Sequence, residues 1–153
     1  MADAFTDLTP AGRKYFSELR KLEKLEVIVG FQAGEATEDN GADVASVAAF
    51  NELGTSSIPP RPFMKQSFEN HGEQLQAGCD MVNNAINEGH SVEQPLNQLG
   101  VLLKGLVQTE ITDGEFEPNA PSTIARKGSD HPLIDTGTMR QSVNYVVRQR
   151  TKG

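Results

Sequence analysis

The chain has 153 residues, about the length of one domain, and 37% of them are hydrophobic, which supplies a core and excludes wholesale disorder. A mean hydropathy of -0.45 and the lack of any apolar run of about 18 residues exclude a membrane-spanning helix. The net charge of -7 is uneven: residues 121–153 carry 6 basic and 2 acidic groups, whereas residues 1–120 are strongly acidic, so the body would repel a phosphate backbone. This asymmetry is consistent with a solvated surface ending in a positive tail. It is equally consistent with electrostatic pairing between neighbouring copies, acidic body against basic tail.

Met1 to Pro10 lacks a basic stretch followed by an apolar one, so no secretory signal is expected. Thr9 as N-cap and Pro10 at the first helical position predict a helix, with Ala11, Tyr15, Leu19 and Leu22 on its apolar stripe. Leu25 to Phe31 is rich in β-formers and predicts a strand. The polar stretch from Gly34 to Ala42 contains the turn signal Asn40-Gly41, and Asp43 is placed to cap a short helix. That helix is expected to carry Val44, Val47, Ala48, Phe50 and Leu53 on one side and to end on Gly54 in the left-handed region. Pro59, Pro60 and Pro62 then force an extended path.

Pro62 is expected to open a long helix striped by Met64, Phe68, Leu75, Cys79, Val82 and Ile86, ending at Gly89-His90. Ser91 with Gln94 forms a capping box for a second helix bearing Leu96, Leu99, Leu103, Leu106, Val107 and Ile111. The two predict an antiparallel hairpin. A long irregular loop is expected around residues 113–134, interrupted by one helical turn at Pro121. It either reaches a neighbour and orders on assembly or is plain surface disorder. Thr136 is placed to cap a short turn through Gln141, and Val143, Tyr145 and Val147 alternate with polar or outward positions as a last strand, expected to pair with the first. The fold class expected is α+β, with a small, mostly antiparallel sheet packed against a long helical hairpin and shorter helices in a single domain.

Candidate chemistry is sparse. His71, Cys79, His90 and His131 stand at no zinc-ligand spacing, and the acidic loop of Glu35, Glu38, Asp39, Asn40 and Asp43 does not follow the order of a calcium loop. Cys79, the only cysteine, cannot close an internal disulfide, which fits a reducing cytoplasm, and its place on the stripe predicts a buried small hydrophobe. No nucleophile elbow and no Gly-rich phosphate loop is present. Arg126, Lys127, Arg140, Arg148, Arg150 and Lys152 could touch phosphates, but without interleaved aromatics apart from Tyr145. No enzyme activity, metal or cofactor is expected.

Two stretches are more specific: VASVAAFNELGTSSIPPRPFMKQSFE, residues 44–69, and PSTIARKGSDHPLIDTGTMRQSVNYVV, residues 121–147. Together they resemble the neck, or tail completion, proteins of tailed bacteriophages, within the group of small head–tail joining and virion morphogenesis proteins. The resemblance implies a non-catalytic protein of the virion, assembled in the bacterial cytoplasm as a homo-oligomeric ring, a hexamer, around the DNA passage. Its implied partners are further copies, head-closure or connector proteins, and the tail terminator or tail tube, with DNA passing non-specifically. The positions carrying the motif, and so the candidate interface, are Phe50, Asn51, Gly54, Pro59, Pro60, Arg61, Pro62, Phe63, Lys127, Leu133, Asp135 and Gly137. Arg61 could meet a carboxylate on a neighbour or pair with its own helix. Asp135-Thr136-Gly137 fits turn and cap chemistry as well as an interface. A tail terminator capping the tail tube is the alternative of the same class; a cytoplasmic enzyme or binding module is the alternative of another.

Overall fold

A computed structural model of the chain is described over residues 7–127, 133 and 137–151, without the side chains of Ser122, Arg126 and Lys127. Among these residues the elements are α1 (Pro10–Glu23), β1 (Leu25–Gly30), α2 (Val44–Leu53), α3 (Phe63–Glu69), α4 (Gly72–Asn87), α5 (Glu93–Asp113), α6 (Pro121–Lys127), α7 (Thr138–Gln141) and β2 (Asn144–Gln149). The α+β class is as expected. The chain divides into two compact units, one drawn from residues 1–28, 73–102 and 145–153, the other from 29–72 and 103–144.

The first unit holds α1, most of α4, the first half of α5 and most of the sheet. The Thr9 side chain accepts from the Gly12 N–H, capping α1 as its sequence predicts. β1 and β2 form a two-stranded antiparallel sheet. The Arg150 N–H donates to the Lys24 carbonyl at 2.8 Å, and Arg148 Nε meets Glu26 Oε1 at 2.9 Å. This register sets Val27 opposite Val147 on the inner face and Ile28 opposite Val146 on the outer. Val27 and Val147 join Tyr15, Leu19, Leu22, Val82, Ile86 and Leu96 in one core, so α1, α4 and α5 cover one side of the sheet. Two strands alone are marginal in water, and this cover stabilises them.

The hairpin of α4 and α5 is antiparallel: Gly78 faces Leu99 and Leu102, while Ile86 packs with Val92 and Leu96. α4 ends in a Schellman motif, in which the His90 N–H donates to the Ala85 carbonyl and the Gly89 N–H to that of Ile86. Tyr145 crosses α5 at Gly100, where an added Cβ would stand 2.2 Å from the ring, and its hydroxyl donates to Asn97 Oδ1. The expected Ser91 cap is not what starts α5. The helix begins at Glu93, and the Val92 N–H donates instead to Glu18 Oε2 of α1 at 2.9 Å.

Glu18 is 4% exposed, and Lys21 Nζ lies 3.1 Å from its other oxygen. Burial alone would raise its pKa, but the hydrogen bonds from Val92 N–H and Lys21 outweigh it and hold the carboxyl below its ordinary value of 4.5. Its contribution is therefore complete above that value and is lost as pH falls through the lower folded-state pKa. Glu18→Gln is expected to cost about 1–2 kcal/mol at neutral pH, the worth of a hydrogen bond to a charged group. The gap from wild type should close in acid. Urea melts from pH 7 down to pH 3 measure this, and a gap independent of pH would refute it.

The second unit is built on Val44, Ala48, Phe63, Val107, Ile111, Leu133, Met139 and Val143, with the Phe31 ring edge-on to Phe63 at 5.9 Å. The Asn40-Gly41 turn forms, with the Gly41 N–H donating to the Glu38 carbonyl and a bridge pairing Thr37 with Asp43. Asp43 caps α2 through the Ser46 N–H.

Several expectations are corrected here. The helix expected to run from Pro62 to Gly89 is two helices. The Asn70 amide donates to Glu110 Oε1 at 3.0 Å, and His71 Nδ1–H to the Ser67 carbonyl at 2.8 Å, so side chains take over where the helix would continue. Pro62 is the N-cap of α3 and not a first-turn residue. Within α4, Leu75, Val82 and Ile86 face inward as expected, but Gly78 lies nearer the centre of their stripe than Cys79, so Gly78 takes the buried position and Cys79 is exposed. Phe50 and Leu53 point to solvent, because at about 100° per residue Leu53 falls opposite Val44. Gly54 has φ 74° and ψ 170°, outside the left-handed helical region. The segment 121–127 forms nearly two helical turns where one was expected, and Gly137 is itself the N-cap of α7.

Candidate functional site

The motif residues that are described lie in the second unit, around an extended strap from Gly54 to Pro62. Each turn of the strap is fastened. The Thr55 hydroxyl oxygen accepts from the Ser57 and Ile58 N–H groups, and the Thr55 N–H donates to the Ile58 carbonyl. The Arg61 N–H donates to the Asn51 carbonyl at 2.6 Å. Glu52 supplies the cap that Pro62 lacks: its carboxylate accepts from the Met64 and Lys65 N–H groups at 2.8 and 3.2 Å, at the positive end of α3.

Arg61 is 6% exposed. Its Nε donates to the Glu117 carbonyl at 2.7 Å and its Nη2 to the Pro118 carbonyl at 3.2 Å. The guanidinium therefore pairs with the segment between α5 and α6, not with its own helix. Burial pushes its pKa down, and the Glu117 carboxylate opposes the shift. Asn51, Pro59, Arg61, Leu133 and Gly137 line one open groove of about 960 Å³, together with Glu38, Asp39 and Glu117. The groove thus carries three acidic residues on a mixed polar and apolar wall, with a buried cation that is already engaged. The Asn119 side-chain amide nitrogen, also on its wall, is buried without a partner among the described residues.

The other candidates separate by burial. Phe63 is fully buried and belongs to the core, not to a surface. Phe50 is 52% exposed, Leu53 78% and Ile58 37%, leaving an apolar patch beside the strap, and Pro60 is exposed with it. Pro62 is half-buried at the start of α3. Asp135, Thr136, His131, Lys152 and the side chains of Arg126 and Lys127 lie outside the described residues. Sequence reasoning passed over Glu52 and Asn119; a carboxylate eleven residues before an uncapped helix start was the signal available for the first.

The acidic loop is used internally. Asp43 accepts from the Gly34 N–H and from Ser46, and these bonds hold its carboxyl below the usual range. Among the described residues no three His, Cys, Asp or Glu side chains gather to hold a metal ion, and no helix is long and apolar enough to cross a membrane. Compared with models of protein families, with curated proteins and with solved structures, the chain matches none.

Proposed function

We propose that this chain is a structural protein of a tailed-bacteriophage virion, a neck or tail completion protein that joins head to tail and forms part of a ring around the DNA passage. One observation carries the proposal. The two stretches that bear the resemblance, 44–69 and 121–147, fold onto one core, in which Val44, Ala48 and Phe63 pack with Leu133, Met139 and Val143. Together they present a braced strap with an apolar patch beside it. Such a strap acts by shape: its proline-stiffened backbone loses little further entropy when a partner docks. The acidic balance of the chain suits a wall that DNA must pass without adhering.

Negative-stain imaging of phage particles made without this protein tests the proposal. Filled heads beside separate, unjoined tails are expected. Normal infectious particles would overturn it.

A further inference from the structure

Among the described residues, helices cover the sheet on one side only. On its outer face Ile28 and Val146 stand opposite each other, 36% and 50% exposed, and the next pair along is Glu26 with Arg148. Arg150 follows at the strand's end, so the outer side of β2 carries two arginines against the one glutamate of β1. The second unit offers the complement. Phe50 and Leu53 stand one turn apart on α2, and the Thr55–Ile58 backbone bond returns the exposed Ile58 beside the end of that helix, where Ile58 shares a groove with Asp39 and Glu117. By sequence this unit holds twelve acidic and six basic residues, while the first holds nine and eight.

We infer that the outer sheet face of one copy docks on the Phe50–Leu53–Ile58 patch of a second copy. Each patch has an apolar centre that water leaves on contact, and their flanking charges are of opposite sign. Pairing either patch with itself would set like charges together. The contact is therefore heterologous, the kind that builds rings or open chains rather than closed pairs. The inference rests on the ring reading above for its place in the particle, but its test needs only the purified full-length chain.

Leu53→Asp and Val146→Asp each disable one patch at an exposed side chain, so both should melt like wild type. Sedimentation velocity at rising protein concentration should show the wild type self-associating, less at high salt. Each variant alone should associate roughly tenfold more weakly or worse, since a central apolar anchor is replaced by a charge. Mixed, the two should form a 1:1 complex and nothing larger, because only one intact pair of patches remains. A monomeric wild type, a variant that associates normally, or a mixture that stays monomeric would each overturn the interface. These outcomes leave the head–tail reading to the particle assay, and normal particles in that assay would leave the measured association standing.

Discussion

Replacing Arg61 by alanine is expected to lower stability by about 3 kcal/mol. The guanidinium makes two hydrogen bonds to backbone carbonyls, at 2.7 and 3.2 Å, and Arg61 as a residue is 6% exposed. Bonds to a charged donor are worth roughly 1.5–3 kcal/mol each when one partner is removed, and water entering the groove recovers part of that. At this chain length the loss corresponds to a fall in Tm of roughly 6–12 °C. Arg61→Lys should recover less than half, because a point charge cannot span the two carbonyls as the planar fork does. Amide exchange at residues 114–120 should rise in both variants, since that segment loses its tether. Thermal unfolding by circular dichroism measures the effect, and a change within 2 °C for the alanine variant would refute it.

Gly54→Ala is expected to cost a comparable amount, about 3 kcal/mol. At φ 74° and ψ 170° the backbone sits where essentially only glycine is found, and strain there amounts to roughly 1–3 kcal/mol. A Cβ would also stand 2.8 Å from Pro60 N, 2.9 Å from its Cδ and 3.0 Å from the Ile58 carbonyl oxygen. None of these is the free end of a flexible side chain, so the strap itself must shift, adding about 1–3 kcal/mol of overpacking. The consequence for function is separable from stability. Because the strap displaced by the alanine carries Ile58, self-association should weaken even below the variant's melting temperature. Unchanged melting would show that the strap yields at no cost.

Much of the architecture was legible without coordinates. Thr9 and Pro10 mark the start of α1 by local chemistry alone, and Val143, Tyr145 and Val147 announce β2 by their alternation. The outward turn of Phe50 and Leu53 was also legible from helical geometry, but their apolar character placed them on one side with Val44 and Ala48. The break between α3 and α4 was not legible. Gly72 only weakens the helix locally, and the break is completed by Asn70 reaching Glu110, forty residues away.

The candidate site divides in the same way. The prolines and Gly54 of the strap follow from backbone sterics, which act over one or two residues and so are written in the sequence. The carbonyls that Arg61 takes lie 56 and 57 residues further on, and the amide that Glu18 takes lies 74 residues on. Near-neighbour chemistry sets α1 with its Thr9 cap, α2 with its Asp43 cap, the two strands and the stiffness of the strap, because these depend on residues a few positions apart. Only the tertiary structure decided which charged side chains became internal latches and which apolar ones stayed at the surface, because a polar group withdrawn from water must find its partner wherever the packed chain brings one.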